Sequence, residues 1–149
     1  MRHAASVFND EGTDLPDCGL SARGAAQARA LTGHYDLVVV SPLKRARHTL
    51  ELSRITFSES LTLGCAREVV TDLCDCLPGE TFVPETPTSV AARIAELTRL
   101  LASWVDTRSV LVISHADLIW NLTAREIGGE QFGQWTDNCE KIELAPERL

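Results

Sequence analysis

Two short apolar, β-branched segments constrain the fold of this chain more than any other feature of its sequence. Residues 35–42 read YDLVVVSP, and residues 108–115 read RSVLVISH. Continuous apolar runs of this length are typical of strands that are buried on both faces of a parallel sheet. Helical patterns lie between and around the two runs, and this alternation predicts an α/β fold with a mainly parallel central sheet.

Capping residues and apolar periodicity predict the helices. Ser21, Ser41 and Thr86 are candidate N-caps, and a proline follows each of the last two at the first helical position. Glycines are expected to end the first helix at Gly33 and the last helix at Gly128. One face of the helix after Thr86 is predicted to be apolar and consists of Val90, Ile94, Leu97, Leu101 and Trp104.

The middle of the chain, residues 57–83, shows no regular pattern and contains the sequence LCDCLPGETF. Its place between two regular units is typical of a loop or a small cap over a site. No repeat, low-complexity tract or linker divides the sequence. The chain of 149 residues is therefore expected to form a single domain, 1–149.

The composition excludes several classes of function. A formal charge of −7 argues against a nucleic-acid or membrane-surface binder, because such proteins need a cationic surface. Any anion site must then be local and built from a few basic groups. No apolar run is long enough to span a bilayer, and the sequence starts without a signal-peptide stretch, so we expect a cytoplasmic protein.

The cysteines are expected to be free thiols. Their number, five, is odd, and without a secretion signal a reducing compartment is the default. Cys74 and Cys76 are not spaced like a zinc knuckle, and no second pair or nearby histidine completes a site. We therefore expect no metal site.

Basic side chains follow both predicted strands. His115 ends the second apolar run, Arg45 lies one turn into the helix after the first, and Arg2 and His3 lie at the start of the chain. Ligands bind at the carboxyl ends of parallel strands, where helix N-termini favour anions. Two guanidiniums and two imidazoles suit a phosphoryl group, because arginine binds phosphate oxygens and a ring nitrogen can attack phosphorus. From the residues alone, ordinary surface or structural roles stay open for each of them.

Six segments occur in an order that matches a known family. The segments are RHAASVFN, DCGLSARGAAQA, SPLKRARHT, ETPTSVAAR, VLVISHADLI and NCEKIEL. Together they resemble the motifs of the histidine phosphatase superfamily, also called phosphoglycerate mutase-like. The resemblance implies a three-layer α/β/α sandwich.

The resemblance also implies a role for each matching residue. His3 would be the nucleophile that becomes a phosphohistidine. Arg2, Arg45 and His115 would bind the phosphoryl group, with Asn9 as a further contact. No metal or other cofactor would be needed, because the arginine pair and a protonated His115 supply the positive field.

The proton donor to the leaving oxygen is less well defined by the resemblance. The family takes a glutamate from the segment after the SPLxRA helix, and Glu68 lies at the matching distance. A glycine and an aromatic residue commonly follow that glutamate, whereas VVTDLCDC follows here. Asp72 is therefore the second candidate for the general acid.

The start of the chain departs from the family. An apolar strand normally precedes the Arg-His pair, but here Met1 alone precedes it, so the first strand is predicted to be missing or shortened. Either the start of the chain is truncated, or another segment or subunit fills the gap, or the sheet is remodelled. The oligomeric state stays open, and a homodimer is one of the states considered, because an open sheet edge invites pairing.

Further departures leave two classes of function open. Ala4 and Ala116 replace glycines, and Asp117 stands where a small residue is usual and is expected to cap its helix. The first prediction is a phosphoric monoester hydrolase acting on a small phosphorylated metabolite or a phosphopeptide, including phosphohistidine. The alternative is a weakened member that acts as a phosphate-binding or protein-interaction module. A phosphoglycerate mutase is less favoured, because mutases in this family are considerably longer.

Overall fold

The computed structural model describes residues 1–12, 17–70 and 85–144. Its helices and strands alternate along the chain, as the sequence predicts. In chain order they are α1 (Val7–Glu11), α2 (Ala22–Ala30), β1 (Thr32–Val40), α3 (Lys44–Leu52), β2 (Arg54–Thr62), α4 (Pro87–Ala102), β3 (Val110–Ile113), α5 (Ala116–Thr123), β4 (Arg125–Ile127) and β5 (Glu130–Phe132). A short 3₁₀ turn, Gly64–Ala66, follows β2.

The central sheet is parallel, with the strand order β2-β1-β3. Leu37 pairs with Val110, and Val40 pairs with Ile113, so both predicted apolar runs are adjacent strands. Strands β4 and β5 form a separate antiparallel hairpin. The prediction of an α/β fold around a mainly parallel sheet is confirmed.

The first three residues continue the sheet beside β3. The Met1 amino group donates to the Val112 carbonyl at 2.8 Å, and the His3 N–H donates to the Ser114 carbonyl at 2.9 Å. Arg2 and Ser114 form a parallel bridge. Residues 1–3 thus lie along the edge of the sheet through these hydrogen bonds and one isolated bridge, without forming a regular strand, and they place His3 beside the carboxyl end of β3.

A groove with a volume of about 410 Å³ lies along the outer edge of β3. Val110, Val112, Lys141 and Leu144 are among the residues that line it. Residues 141–144, which resemble the closing strand of the family, form no strand here. The homodimer expected from an open sheet edge stays a prediction.

Alternate side chains of β1 enter two separate cores, one on each face of the sheet. Leu37 and Val39 pack with Leu97 of α4 and Leu118 of α5. Val38 and Val40 pack with residues that include Ala46, Ile55 and Ile113. Helices therefore cover both faces, as the three-layer prediction requires, and each fully buried valine or leucine contributes about 1.5–3 kcal/mol.

Some of the predicted helix boundaries are confirmed. The Ser21 side chain accepts from the Gly24 N–H, and the Thr86 side chain accepts from the Ser89 N–H. Pro87 begins α4, and the predicted apolar face of α4 packs against the core. Both serine and threonine caps satisfy amide groups that have no partner inside the helix.

Other predicted boundaries are wrong, and each has a local cause. Ser41 does not cap α3, which begins at Lys44, because its hydroxyl contacts a histidine instead. Gly33 lies inside β1 rather than ending α2, since pairing with β2 starts at Thr32. The last helix ends at Thr123 and not at Gly128, because the Gln134 N–H donates to the Thr123 hydroxyl and the chain turns into the β4–β5 hairpin.

The segment expected to be a loop or cap divides into three parts. Residues 57–62 belong to β2 and are therefore regular. Residues 63–70 contain only the 3₁₀ turn and otherwise irregular backbone, as expected of a loop. Residues 71–83 lie outside the described residues, and so do Asp72, Cys74 and Cys76. The cap and the single-domain assignment remain predictions.

Two further expectations concern thiols and membranes. Among the described cysteines, Cys18, Cys65 and Cys139 are free, and the reducing compartment stays a prediction. Among the described residues, no helix combines the length and the apolar character that crossing a bilayer requires.

Helix α2 passes directly over the backbone that follows His3. A Cβ atom added to Gly24 would lie 1.7 Å from the Ala5 carbonyl oxygen. The close approach lets the Ser21 N–H donate to that oxygen at 3.0 Å, while the Ala5 N–H donates to Gln27 Oε1 at 2.9 Å. Gly24 is therefore required for α2 to hold this backbone in place.

Gly24→Ala is expected to lower the free energy of unfolding by about 2 kcal/mol or more, because α2 and the Ala5 backbone must separate. Urea unfolding measures the loss. Gly64→Ala is the control, since a Cβ there meets no atom within 4 Å, and it should change stability by less than about 0.5 kcal/mol. Equal stability of the two variants would show that the close approach is not needed.

Candidate active site

His3 is buried beside the carboxyl end of β3, with only 3% of its surface exposed. Its Nδ1 atom lies 2.6 Å from the Ala4 carbonyl oxygen, which can only accept. Nδ1 therefore holds the proton, and Nε2 keeps an available lone pair. Burial lowers the pKa of His3 to about 3. The hydrogen bond to Ala4 opposes this shift, whereas the positive charges of Arg45 and Arg2 add to it. His3 is thus neutral at neutral pH, the form that can act as a nucleophile.

His115 lies beside His3, where β3 gives way to α5. The two ring centroids are 5.1 Å apart, and His115 is fully buried. Its Nε2 atom lies 2.7 Å from Ser41 Oγ, whereas its Nδ1 atom is buried without a hydrogen-bond partner. A Ser41 hydroxyl that donates to Nε2 leaves the proton on Nδ1, which then serves as a donor.

The pKa of His115 lies well below its ordinary value, chiefly because of burial, with Arg45 and His3 adding to the effect. The free site therefore favours the neutral ring, and the protonated His115 that the resemblance implies stays a prediction for the site with a bound anion. The ring is neutral and offers a polarised N–H rather than a charge. An anion bound beside it would favour its protonation, because opposite charges stabilise one another.

Arg2 reaches the same region from the bridge that it forms with Ser114. Its Nη1 atom donates to the Thr136 carbonyl oxygen at 2.8 Å. In the part of the chain that the structure describes, the buried side-chain polar atoms without a partner are Arg2 Nε, His115 Nδ1 and Thr136 Oγ1. Leaving a buried donor unmatched costs about 1–3 kcal/mol, so this set suits an anion with several acceptor oxygens.

Arg45 is buried near the start of α3 and forms an ion pair with Glu68. The Thr49 hydroxyl, one turn later, donates to the Arg45 carbonyl at 2.7 Å and accepts from the Ala4 N–H at 2.9 Å. This double contact fixes α3 against the backbone next to His3. The guanidinium and the imidazole are therefore held by one local hydrogen-bond network.

Glu68 is half-buried, and its carboxyl group contacts the Arg45 guanidinium. Burial raises its pKa above the usual value, Asp117 adds to the rise, and Arg45 and Arg2 oppose it. Burial likewise raises the pKa of Asp117. A carboxyl with a raised pKa can hold a proton nearer neutral pH, which a general acid requires.

Asn9 lies at the exposed edge of the site. Its Oδ1 atom accepts from the Ser6 N–H at 3.1 Å, which forms a capping box at the start of α1. The Asn138 amide donates to Asn9 Oδ1 at 3.3 Å and to the His3 carbonyl at 3.0 Å. Asn9 is thus connected to the nucleophile through Asn138, and its direct contact with phosphate stays a prediction.

Residues 1–63 match the family profile described as histidine phosphatase superfamily (branch 1). The matched part contains His3 and Arg45, which the folded chain brings together. The similarity to the histidine phosphatase superfamily thus covers these 63 of the 149 residues. No curated protein matches the sequence.

Several solved structures share the fold of this chain. An open-reading-frame product of Mycobacterium tuberculosis has a TM-score of 0.59 and 17% identity, over 92% of this chain and 93% of that one. A putative α-ribazole-5′-phosphate phosphatase of Escherichia coli has a TM-score of 0.57 and 21% identity, over 82% and 74%. The protein histidine phosphatase SixA, complexed with tungstate, has a TM-score of 0.51 and 23% identity, over 93% and 81%.

Sequence reasoning missed several residues of this site. Ser41 was assigned to a helix cap, although its hydroxyl holds His115. Thr49 belongs to the matched motif SPLKRARHT but gives no chemical signal by itself. Thr136 and Asn138 lie in an irregular segment more than 130 residues from Arg2 and His3, and no periodicity points to them.

The described residues include no cluster of side chains that could bind a metal ion. No group of three or more His, Cys, Asp or Glu side chains there is arranged to hold an ion. The polar atoms without partners in the site are an arginine nitrogen, an imidazole nitrogen and a hydroxyl. Two of these three can donate to an anion, and the third can donate or accept.

Proposed function

We propose that the protein is a phosphatase that hydrolyses phosphomonoesters through a phosphohistidine on His3. The observation that supports this most is a neutral, buried imidazole with its Nε2 lone pair available, 5.1 Å from a second ring that offers an unmatched N–H. Arg2 and Arg45 are close enough to depress the pKa of that imidazole. A phosphoryl group would accept hydrogen bonds from these cations while Nε2 approaches phosphorus.

In the first step, His3 Nε2 attacks phosphorus, so that an N–P bond forms and the bond from phosphorus to the leaving oxygen breaks. Glu68 gives its proton to that oxygen. Arg2, Arg45 and the His115 Nδ1–H stabilise the charge on the equatorial oxygens, which is the main protein contribution to phosphoryl transfer.

In the second step, a water oxygen attacks phosphorus and its proton passes to a phosphoryl oxygen, while Glu68 regains its own proton from solvent. The N–P bond breaks, and orthophosphate and neutral His3 are released. Splitting hydrolysis into two displacements lowers the barrier of each. Both steps use side chains of this chain alone, and we propose that the reaction requires no metal.

The substrate class is a small phosphorylated metabolite or a phosphopeptide, including one that bears phosphohistidine. The similar structures support both kinds of substrate, since one is described as an α-ribazole-5′-phosphate phosphatase and another is the protein histidine phosphatase SixA. The cytoplasmic location and the homodimer stay predictions.

We expect the purified protein to hydrolyse p-nitrophenyl phosphate, with orthophosphate and vanadate as competitive inhibitors. Vanadate imitates the five-coordinate transition state, so it should inhibit more strongly than orthophosphate. A chelator should leave the rate unchanged. Saturable phosphate binding without any hydrolysis would instead favour the binding-module alternative, and a large loss of rate with EDTA would contradict the metal-free mechanism.

Glu68→Gln is expected to lower kcat for alkyl phosphates by about 10²–10⁴-fold, because an alkoxide leaves poorly without a proton donor. For p-nitrophenyl phosphate, whose leaving group needs no proton, the loss should stay below about tenfold.

The pH profile gives a second readout for Glu68. The wild-type rate with alkyl phosphates should fall as pH rises through the raised pKa of Glu68, because the acid form is then lost. The Gln variant should lack this fall, while the ionisation of the substrate affects both proteins equally. An identical alkaline limb in both proteins would exclude Glu68 as the general acid.

A further inference from the structure

The segment that bears Glu68 has little secondary structure of its own. After the 3₁₀ turn Gly64–Ala66, residues 67–70 form neither helix nor strand. The position of the Glu68 carboxyl relative to His3 must therefore be set by contacts from other elements. One such contact comes from Ser114, whose hydroxyl donates to the Ala66 carbonyl oxygen at 2.7 Å.

Arg93, on α4, binds the backbone of this segment. Its Nη1 atom donates to the Cys65 carbonyl at 3.1 Å and to the Arg67 carbonyl at 3.0 Å. Its Nη2 atom donates to the carbonyl of Glu68 itself at 3.2 Å. One guanidinium thus holds three carbonyls around the Glu68 position.

Glu85 holds that guanidinium in place. Arg93 Nε donates to Glu85 Oε1 at 2.8 Å, and Arg93 Nη2 donates to Glu85 Oε2 at 2.5 Å. Arg67 adds a contact to Oε1 at 2.9 Å. Although burial opposes the charge, Arg93 and Arg67 hold the pKa of Glu85 below its usual value, so Glu85 is a carboxylate at neutral pH.

These contacts use the whole donor set of one arginine. Its five N–H groups have five acceptor atoms within hydrogen-bond distance, two on Glu85 and three on the backbone. The Arg93 side chain is only 12% exposed, and the Glu85 side chain is 5% exposed. A lysine has three donors on one atom and cannot reproduce this planar pattern.

We propose that Arg93 and Glu85 are positioning residues for Glu68, and that they set the rate of proton transfer to the leaving group. This proposal rests on the proposed function. Proton transfer needs a heavy-atom distance of about 2.6–3.2 Å, and an error of about 1 Å in the reacting geometry can cost about 10²-fold in rate. We call the Arg93–Glu85 pair the clamp. Since neither residue contacts His3 directly, the clamp acts on the acid Glu68 and not on the nucleophile.

The test compares two substrates in two variants, Arg93→Lys and the isosteric Glu85→Gln. With an alkyl phosphate we expect kcat to fall at least about tenfold in each variant, because the leaving group depends on a well-placed acid. With p-nitrophenyl phosphate we expect less than about a threefold change. Arg99→Lys, an exposed arginine on the same helix, is the matched control and should leave both rates unchanged.

Coupling to Glu68 separates positioning from general stability. In a Glu68→Gln background, adding Arg93→Lys should lower the alkyl phosphate rate by less than about twofold, since the acid is already absent. Equal losses with both substrates, or losses that multiply in the double variant, would overturn the positioning role. Thermal unfolding of each variant, measured in parallel, shows whether a loss of folded protein explains the rates.

The outcomes also distinguish this proposal from the proposed function. No hydrolysis by the wild-type protein would contradict the proposed function and this proposal with it. If Glu68→Gln lowered the rate equally with both substrates, Glu68 would not be the general acid. The clamp would then not be its positioning device. A strong leaving-group effect for Glu68→Gln, with none for Arg93→Lys or Glu85→Gln, would overturn the clamp alone.

Discussion

His3→Ala is expected to lower kcat for p-nitrophenyl phosphate by at least about 10⁴-fold, because the variant has no atom that can form the covalent intermediate. The variant should still bind orthophosphate, since Arg2, Arg45 and the His115 N–H remain. Initial rates and isothermal titration with orthophosphate measure the two properties separately. A lost rate with retained binding identifies His3 as the group that reacts rather than one that only binds.

The control for this variant is His34→Ala. His34 is exposed in β1 and has its ring nitrogen on the Thr56 hydroxyl, outside the site. Its replacement should leave the rate unchanged. If His3→Ala retained more than about a tenth of the wild-type rate while remaining folded, the nucleophile would have been assigned wrongly.

Arg45→Ala is expected to lower kcat/KM by about 10³-fold, because a buried guanidinium that binds the transferring group is among the largest contributions to this chemistry. Arg45→Lys should recover part of the loss, since it restores charge without the planar fork. Steady-state kinetics with p-nitrophenyl phosphate measure both variants. Arg47→Ala, an exposed residue of the same helix, is the matched control and should behave as the wild type.

The Arg45→Ala variant should also show a changed pH profile with alkyl phosphates. Arg45 lowers the pKa of Glu68, so its removal should raise that pKa further. Because the acid form is the active form, the alkaline limb of the profile should move to higher pH. A limb that moves to lower pH, or a rate equal to that of Arg47→Ala, would contradict the assigned contact between Arg45 and the acid.

The sheet could be predicted from the sequence because β1 and β3 are continuous apolar runs. Residues 37–40 are buried, and their side chains alternate between the two cores. A strand that is buried on both faces needs a continuous apolar sequence, and the pattern is therefore easy to recognise. Boundaries were predicted less well. Gly33 and Gly128 resemble helix stops, but strand pairing and the Thr123–Gln134 contact decide where the helices end. Those contacts join residues that no local pattern relates.

The centre of the site was predicted because its residues belong to motifs with fixed order. His3 and His115 do lie together, and both are near Arg2 and Arg45. Their charge states could not be predicted, since they follow from burial. The supporting contacts of Thr136 and Asn138 could not be predicted either, because they depend on an irregular segment that packs against the start of the chain.

The most direct test of the account is to trap the phosphoenzyme during turnover. A reaction with a ³²P-labelled substrate is quenched in alkali and digested with trypsin, which should release residues 3–23 as one peptide. The account predicts an acid-labile, alkali-stable phosphoryl group on His3 of that peptide, absent from the His3→Ala protein. A label on any other residue, or turnover without any covalent label, would contradict the central claim that the His3 imidazole attacks phosphorus.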